Sequence, residues 1–281
     1  MDSYNKKLLE IKKCRNKQVK NLTKLLSLLV KSTNTKVLMS SDTDSEAEQE
    51  APLDFYLTPA HPCSYLDRSD AQTLFADPRR IITSSNYQRL SDYGFRRSGG
   101  HLYRPRCNHC QACIAVRVPV DQFKATRGQR RNHRRNQDLR VVVEQARFTQ
   151  RHYHLYERYI SLRHTDGDMY PPSEDQYRSF LLSSWAKTSF ICTYEGQRLL
   201  SVAVTDQLED GLSAVYTYFE PNVQRRGLGV FSILQQIELC QSLGLSYVYL
   251  GYWIKESQKM SYKSQYRPLQ MYIDGRWLLL T

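Results

Sequence analysis

The sequence has no run of about 18 apolar residues, which is the length that a membrane-crossing helix needs. It also has no secretory signal peptide, because its early polar stretch is too long and Lys24 interrupts the apolar residues that follow. Both absences argue against a secreted or membrane-spanning protein. We therefore expect a cytoplasmic location and no membrane partner.

Cysteine is too unevenly placed for a disulfide framework. The seven cysteines are an odd number, and Cys107, Cys110 and Cys113 fall in one short loop. A reducing compartment is the better interpretation. The C-x2-C-x2-C spacing suits zinc or an iron–sulfur cluster, with Cys63 as the candidate fourth ligand or a nearby histidine in its place. The alternative is three reduced structural cysteines without a metal.

Acidic residues are outnumbered, and the basic excess is uneven. The net charge is +12, of which residues 1–37 carry eight and the rest of the chain four. Outside that first stretch, basic residues imply a nucleic acid only where they are clustered. They cluster between Lys124 and Arg140, where seven of 17 residues are basic and Asp138 is the single acid.

This cluster predicts a densely basic helix, because arginines recur there at every fourth position. Such a helix binds a phosphate backbone through countercharge and does not read sequence. A solvated helix face, the usual alternative, carries charges of both signs. We therefore predict a nucleic-acid-binding helix. Its arginines are Arg127, Arg130, Arg131, Arg134 and Arg135.

Residues 1–54 are predicted to be a disordered or misassigned extension. Residues 22–29 have leucines at helical spacing among lysines, whereas residues 40–52 are acidic and rich in serine. Translation that starts at Met39 would explain this change of composition. The basic stretch could alternatively contact an anionic membrane or RNA.

The stretch from Ala214 to Ile254 organises the remaining chain. It consists of a strand-like segment, the turn at Gln224–Gly229, a helical segment and a second strand-like segment. The glycines of the turn let a backbone approach a ligand, and amides at the helix N-terminus favour an anion such as phosphate. This order is that of the acyltransferase core of the N-acetyltransferase (GNAT) fold, although an ordinary tight turn has the same residues. A strand meander with turns at Glu195–Gly196 and Asp210–Gly211 precedes it.

The predicted fold class is mixed α/β (α+β), with a GNAT-like core and a second, Cys-containing lobe. Residues 55–145 would form the N-terminal lobe with the Cys loop and the basic helix. Residues 146–281 would form the catalytic lobe. In that lobe Asp166 and Asp168 could supply a base or bind an amine, although Asp-Gly-Asp is also ordinary turn chemistry.

Five long motifs follow one another from about Phe55 onwards. They are HPCSYL, GFRRSG-x-x-LYRP-x-C-x-x-C-x-x-C, RHTDGDMYPPS, GLSAVYTYFEP and YLGYWI-x-x-x-x-KM-x-YK-x-QYRP. In these motifs the chain resembles the arginyl-tRNA–protein transferase family, specifically its bacterial branch of aspartate/glutamate leucyltransferases. The resemblance implies a two-lobed fold and transfer of an aminoacyl group from tRNA to the N-terminal Asp or Glu of a protein, which marks that protein for N-degron-dependent degradation.

The implied reaction requires no enzyme nucleophile and no cofactor, because the aminoacyl ester is already activated. The enzyme must hold the tRNA end, position the acceptor amine and stabilise an oxyanion. Zinc or an iron–sulfur cluster at Cys63, Cys107, Cys110 and Cys113 would then be structural or redox-regulatory.

Site residues are predicted within the same motifs. An acidic acceptor residue needs a cation to bind its carboxylate, although each candidate cation could instead brace the two lobes. The substrate-binding candidates are Arg96, Arg97, Lys263 and Arg267. The catalytic candidates are Tyr216, Tyr218, Asp166 and Asp168. The tRNA-binding set adds Arg225, Arg226, Gly227 and Gly229 to the arginines of the basic helix.

The donor amino acid stays open between leucine and arginine. A leucine pocket is apolar, whereas an arginine pocket offers a carboxylate and aromatic faces. Glu220 is the single acid near the central turn, so we favour leucine, unless the fold brings Asp166 and Asp168 to the pocket. Two other classes are an acetyl-coenzyme A-dependent GNAT enzyme and a metal-stabilised RNA-binding module without catalysis.

Overall fold

The computed structural model describes residues 53–280. The extension predicted for residues 1–54 therefore lies outside the described residues, except for its last two positions.

A small antiparallel sheet forms the N-terminal part of the described chain. Its strands are β1 (Phe55–Leu57), β2 (Thr73–Ala76), β3 (Arg96–Ser98) and β4 (His101–Pro105), in the order β1-β2-β4-β3. The helix α1 (Ser84–Asp92) begins after Thr83, whose side chain accepts a hydrogen bond from the Asn86 amide.

An eight-stranded sheet forms the body of the molecule. Its strands are β5 (Ile114–Pro119), β6 (Arg140–Gln145), β7 (Thr188–Glu195), β8 (Arg198–Gln207), β9 (Gly211–Phe219), β10 (Tyr247–Trp253), β11 (Leu269–Ile273) and β12 (Arg276–Leu280). Their order is β12-β11-β5-β10-β9-β8-β7-β6. Only β9 and β10 pair in parallel; the other neighbours are antiparallel. The mixed α/β class is confirmed.

The division between the two sheets does not fall at the predicted lobe boundary, residue 145. Strands β5 and β6 both precede that residue, yet both belong to the large sheet. Strand β5 lies between β10 and β11, and its near-continuous apolar run is that of a strand covered on both faces. The change from one sheet to the other therefore takes place in the Cys loop, between Pro105 and Ile114.

Five more helices complete the described fold. They are α2 (Arg127–Arg135), α3 (Gln150–Arg163), α4 (Glu174–Leu181), α5 (Leu228–Ser242) and the short α6 (Gln258–Ser261). Capping side chains at Thr126, Thr149 and Ser173 begin α2, α3 and α4. Gly244 has a φ of +67° just after α5, the left-handed conformation in which glycine commonly ends a helix. In residues 53–280 no helix has the length and apolar character needed to cross a membrane.

The helices cover both faces of the large sheet, as the alternation along β8 shows. Val202 and Val204 belong to the core that α3 and α4 build. Thr205 points the other way, and its hydroxyl donates to Gln236 Oε1 of α5 at 3.3 Å. Because successive residues of a strand face opposite sides, α5 covers one face and α3 with α4 the other.

The parallel strands β9 and β10 pair over only part of their length. Three residues of β10, from Tyr247 to Tyr249, pair with the first three of β9. Beyond that point β9 stays paired with β8, and β10 with β5. The sheet therefore opens between residues 214–219 and residues 250–253, at the C-terminal ends of both strands.

Candidate functional site

The basic helix α2 and the turn before α5 form one surface. Asn132 Nδ2 donates to the carbonyl oxygens of Arg226 at 3.0 Å and Gly227 at 3.1 Å. Asn136 Nδ2 also donates to the Arg226 carbonyl, at 2.9 Å. Arg225 is exposed in the turn, and all five arginines of α2 are exposed. Two parts of the predicted tRNA-binding set, nearly a hundred residues apart in sequence, are thus brought together.

The glycine at the end of the turn is required by this packing. Gly227 has a φ of +60°, and a Cβ there would lie 2.6 Å from Asn132 Nδ2. The sequence indicates close approach to a ligand, but the neighbour in the structure is α2. Arg226 is paired with Asp138 at 2.8 Å and with Glu195 at 2.6 Å. Arg225 is therefore the better candidate of the two for a phosphate contact.

A groove of about 520 Å³ lies between α2 and α5, next to this surface. Its lining combines the apolar side chains of Phe123, Leu234 and Ile237 with Arg130 and Arg134 of the basic helix. Such a combination of apolar side chains and guanidinium groups can accept an unstacked base as well as its phosphate.

Arg97 braces the two sheets. Its Nε and Nη2 donate to the two carboxylate oxygens of Asp206, at 2.5 and 3.0 Å, and both side chains are fully buried. Its Nη1 donates to the Gly99 carbonyl at 2.8 Å. The structure therefore supports, for Arg97, the bracing role that the sequence left open, because its guanidinium is committed to Asp206.

Arg96, the preceding residue, is buried without comparable partners. Its Nη1 donates to the carbonyl oxygens of Phe95 at 2.6 Å and Ser91 at 3.2 Å, whereas Nε and Nη2 have no hydrogen-bond partner. The guanidinium lies 5.1 Å from the ring centroid of Tyr249. A buried cation with unused donors is costly unless a ligand supplies the missing acceptors.

Lys263 belongs to the same cluster. Its side chain is buried, and Nζ donates to the Tyr252 carbonyl oxygen at 2.5 Å. Burial above all, and the charge of Arg96 after it, lower the pKa of Lys263 to about 7 against a smaller opposite effect of Cys113. Two of the four predicted substrate-binding cations, Arg96 and Lys263, are therefore close enough to repel each other inside the protein.

Two tyrosines that the sequence prediction missed connect this cluster to its surroundings. The Tyr252 hydroxyl lies 2.9 Å from the Gly94 carbonyl oxygen and 3.1 Å from that of Tyr103. Burial raises the pKa of Tyr65 well above its ordinary value, and the neighbouring Tyr103, Cys113, Cys63 and Asp168 add to that rise. Tyr65 lies in the motif HPCSYL and Tyr252 in the motif YLGYWI, and membership of these motifs was the sequence signal that could have identified them.

The Asp-Gly-Asp loop, which follows α3, lies near Tyr65. Asp166 Oδ2 is 3.4 Å from Lys259 Nζ, and Asp168 is close enough to Tyr65 to raise its pKa. The Gly167 amide donates to the His164 carbonyl at 3.0 Å, which confirms the turn. The loop thus lies beside Tyr65 and beside Lys259, which is four residues before Lys263.

The two predicted catalytic tyrosines differ in their access to a substrate. Tyr218 is 0% exposed, and its hydroxyl lies 3.0 Å from the Tyr177 hydroxyl in the core. Burial raises the pKa of both Tyr216 and Tyr218 well above the ordinary value, so both hydroxyls stay protonated. Tyr216 is half-buried, on the part of β9 that β10 leaves unpaired, and packs edge-on against Phe180. Tyr216 is therefore the better placed of the two.

Arg267 contacts the backbone of its own segment and of the segment that leads into the basic helix. Its Nε donates to the Ser264 carbonyl at 2.7 Å, and its own carbonyl accepts from the Lys124 amide at 3.2 Å. Lys124 immediately precedes the basic helix, so the backbone at Arg267 is joined to that side of the molecule.

The four candidate metal ligands line one cavity of about 530 Å³. The amides of Tyr65 and Gln72 point at the sulfurs of Cys63 and Cys107, at 3.5 and 3.4 Å. Burial above all, together with the other three cysteines, raises the pKa of Cys113 to about 12. Four thiols around one cavity are donors that zinc or an iron–sulfur cluster can use, and amide donors to sulfur stabilise the thiolate form that binds metal.

Glu220, the single acid near the central turn, is already neutralised. It is 2% exposed and lies 2.6 Å from Arg158 and 3.2 Å from Arg198. Burial by itself would raise the pKa of Glu220, but the hydrogen bonds and charges of the arginines outweigh burial and lower it. The carboxylate therefore stays ionised and is paired with both arginines.

Comparison with known proteins agrees with the motifs. The N-terminal pattern of the arginine-tRNA-protein transferases matches residues 61–131, and the C-terminal pattern matches residues 151–273. A solved structure, that of L-PGS from Bacillus licheniformis, is similar with 12% identity and a TM-score of 0.42 over 71% of this chain and 68% of its own. That similarity is too low to bear on fold or function.

Full-length relatives are much more similar. A protein of Hahella chejuensis is 54% identical over 81% of this chain and 97% of its own length. One of Alcanivorax borkumensis is 55% identical over 80% of this chain and 93% of its own length, and one of Pseudomonas aeruginosa is 51% identical over 82% and 98%. Each is named aspartate/glutamate leucyltransferase. The chain belongs to the arginine-tRNA-protein transferase family, together with these leucyltransferases.

Proposed function

We propose that this chain transfers leucine from leucyl-tRNA to the N-terminal Asp or Glu of acceptor proteins in the cytoplasm, which marks them for N-degron-dependent degradation. The observation that carries the proposal is 51–55% identity to proteins of that name over 93–98% of their lengths. The reaction requires no cofactor, because the ester of the charged tRNA is already activated.

The chemistry is direct aminolysis of that ester. The neutral acceptor amine attacks the leucyl carbonyl carbon, an amide C–N bond forms and the ester C–O bond to the terminal ribose breaks. The amine loses a proton and the released ribose hydroxyl gains one. In this proposal Asp166 and Asp168 hold the acceptor ammonium and take its proton, and Tyr216 borders the reacting carbonyl at the opening between β9 and β10.

Arg96 and Lys263 are proposed to bind the acidic side chain of the acceptor. Both are buried, and Arg96 keeps two guanidinium nitrogens without partners. An entering carboxylate would supply the acceptors that Arg96 lacks and would offset the repulsion between the two cations. This accounts for an acidic residue being preferred over a neutral one of similar size.

The charged tRNA is proposed to bind along α2 and the turn that contains Arg225. The support is the exposure of every arginine of α2 and the groove beside it, with apolar and guanidinium lining. The acyl end would reach the opening between β9 and β10. Strand β9, helix α5 and parallel strand β10 follow one another as in a GNAT core, so we propose that the reaction uses the same opening of the sheet.

Leucine is the proposed donor, and arginine is the alternative because of the family to which the chain belongs. The donor side chain of an arginyl enzyme needs an acid, and Glu220 is taken up by Arg158 and Arg198. The aromatic residues around the opening remain for an apolar side chain. The packing of Gly227 against Asn132 argues against a phosphate-binding turn for coenzyme A.

The Cys cluster is proposed to hold zinc or an iron–sulfur cluster through Cys63, Cys107, Cys110 and Cys113. When bound, such a group cross-links the segment before β2 to the loop between β4 and β5 and makes this junction sensitive to oxidants.

The decisive experiment offers leucyl-tRNA and arginyl-tRNA in competition to peptides that differ only at the first residue. We expect leucine to be incorporated into peptides that begin with Asp or Glu and not into those that begin with Asn or Ala. Preferential incorporation of arginine would contradict the assignment of leucine as the donor amino acid. Modification of the neutral peptides at the same rate would overturn the acceptor, and acetylation from acetyl-coenzyme A would overturn the reaction.

A further inference from the structure

A second group of metal-ligand side chains lies away from the Cys loop, where α3 meets the edge of the large sheet. Glu144 is on β6, Cys192 is on β7 and His152 is in the first turn of α3. Their ligand atoms all lie within 4.8 Å of one another. His152 is 2% exposed and Cys192 is 0% exposed.

Strand register explains why these residues meet. Glu144 pairs with Phe190, and Cys192 pairs with Val142 two positions along. Glu144 and Cys192 are therefore diagonal neighbours on one face of the sheet, the face that α3 covers. His152 packs edge-on against Phe190 at 5.2 Å, which places its imidazole between the carboxylate and the thiol.

The nitrogen–oxygen distance in this group is long for a hydrogen bond, the nitrogen–sulfur distance is within the range of a hydrogen bond to sulfur, and both match shared coordination of one ion. His152 Nε2 is 3.5 Å from Glu144 Oε2 and 3.7 Å from Cys192 Sγ. An ordinary N–H···O bond measures about 2.9 Å. Nitrogen and oxygen ligands of one tetrahedral zinc ion lie about 3.4 Å apart, and nitrogen and sulfur ligands about 3.6 Å apart, given metal–ligand distances of roughly 2.0–2.3 Å.

A neighbouring hydroxyl orients the carboxylate ligand as such groups do around bound metals. The Tyr194 hydroxyl donates to Glu144 Oε1 at 2.5 Å, while Oε2, the other oxygen, is the one near His152. The second ring nitrogen of His152, Nδ1, makes no hydrogen bond within the usual limits, although the Arg147 backbone is near enough to affect its protonation.

We propose that Glu144, His152 and Cys192 bind one zinc ion, with water in the fourth position, and that this ion fastens the start of α3 to β6 and β7. One thiolate, one imidazole and one carboxylate suit zinc better than magnesium or calcium, which prefer oxygen ligands. The Glu144 side chain is 32% exposed, so an ion and its water can enter from the sheet edge.

Cobalt(II) is the probe for the test, because its absorption reports both tetrahedral coordination and a thiolate ligand. The full-length protein is freed of metal by a chelator under reducing conditions and titrated with Co²⁺. The variants are C192S and E144Q, and the matched control is C240S. Cys240 is also buried, but its Sγ contacts the carbonyl oxygens of Leu245 and Tyr247, at 3.6 and 3.2 Å.

Wild type and C240S should each bind one equivalent of Co²⁺ more than C192S does, and their thiolate-to-cobalt absorption should be correspondingly stronger. E144Q should bind that equivalent at least about tenfold more weakly. The Cys loop gives the same signal in every variant, so the difference isolates the second site. If circular dichroism shows that C192S does not fold, E144Q decides, because its side chain is partly exposed on an edge strand. Equal stoichiometry and affinity in wild type and E144Q would overturn the proposal and leave a metal-free hydrogen-bonded group.

Discussion

At the scale of single residues, two neighbouring arginines on β3 have opposite roles. Arg97 has its donors satisfied by Asp206 and a backbone carbonyl, whereas Arg96 keeps two nitrogens without partners. Adjacent residues of a strand face opposite sides, so one guanidinium meets a carboxylate of β8 and the other meets the cluster around Lys263. A paired buried charge supports the fold, and an incompletely paired one is available to a ligand.

Replacing Arg97 by Met should lower the free energy of unfolding by about 3–5 kcal/mol, because Asp206 would remain as an uncompensated buried carboxylate. Urea unfolding followed by circular dichroism measures the loss. The double variant R97M/D206N should regain part of the lost stability, since the unpaired charge is gone. An R97M protein as stable as wild type would show that the pair does not brace the sheets.

Replacing Lys263 by Met should reduce kcat/KM for a peptide that begins with Asp by about 30-fold or more, because an acceptor carboxylate would lose one of two buried cations. Binding of tRNA should not change. The matched control is K255M, an exposed lysine of the same segment, which should behave as wild type. Unchanged peptide use in K263M, or an equal loss of tRNA binding, would contradict the assignment.

At the scale of elements, α2 is attached to the turn before α5 mainly through amide side chains. Asn132 and Asn136 donate to the turn carbonyls, and Gln129 Nε2 donates to the Gln265 carbonyl at 3.2 Å. The arginines of α2 therefore remain at the surface, where a phosphate backbone can reach them. The amide side chains of α2 thus attach the helix to the fold, and its exposed arginines are available to bind a ligand.

Replacing Arg130, Arg131, Arg134 and Arg135 by Gln should weaken tRNA binding and flatten its salt dependence. Each lost phosphate contact lowers the slope of log K against log salt by about 0.7–0.9. Binding measured at several salt concentrations gives the slope. The control N132A removes an anchor without a charge, so it should leave the slope unchanged. Equal slopes in the four-arginine variant and wild type would refute the assignment of α2.

At the scale of the whole molecule, the proposed site lies where the two sheets meet. Arg96 comes from the small sheet, Tyr252 from β10 of the large sheet, and Lys263 from the segment after it. Cys63 and the Cys loop border the same junction, because Cys113 is near enough to affect the pKa of Lys263. A metal at the cysteines would therefore fix the relative position of the parts that build the acceptor site.

Protein purified under reducing, anaerobic conditions should contain zinc or iron bound by Cys63, Cys107, Cys110 and Cys113. Removal by a chelator should lower the melting temperature by about 2–4 °C for each kcal/mol of stability lost. It should also expose these four thiols to alkylation, whereas Cys240 should stay protected in the core. Metal analysis that finds neither element, with all four thiols alkylated in the folded protein, would refute this site.

Local structure could be predicted from the sequence because its causes lie within a few positions. Arginines at every fourth position predict α2, and in the structure Thr126 caps its start. The cap Ser173 and the two acids after it likewise lie at the start of α4. Gly244 ends α5 for the same local reason. The long motifs were likewise sufficient to identify the family, because they combine many residues in a fixed order.

Only the tertiary structure decided which residues meet. Strand β5 precedes the predicted lobe boundary, yet lies in the large sheet, because pairing partners are chosen by packing across the whole chain. Arg96 and Arg97 are equivalent in sequence and differ only in what faces them. Glu220 is paired with Arg158 and Arg198, which lie 62 and 22 positions before it in the sequence, and is therefore not available to a substrate. The sequence by itself determined the elements and the family, and long-range packing determined which charges are paired and which are left for a substrate.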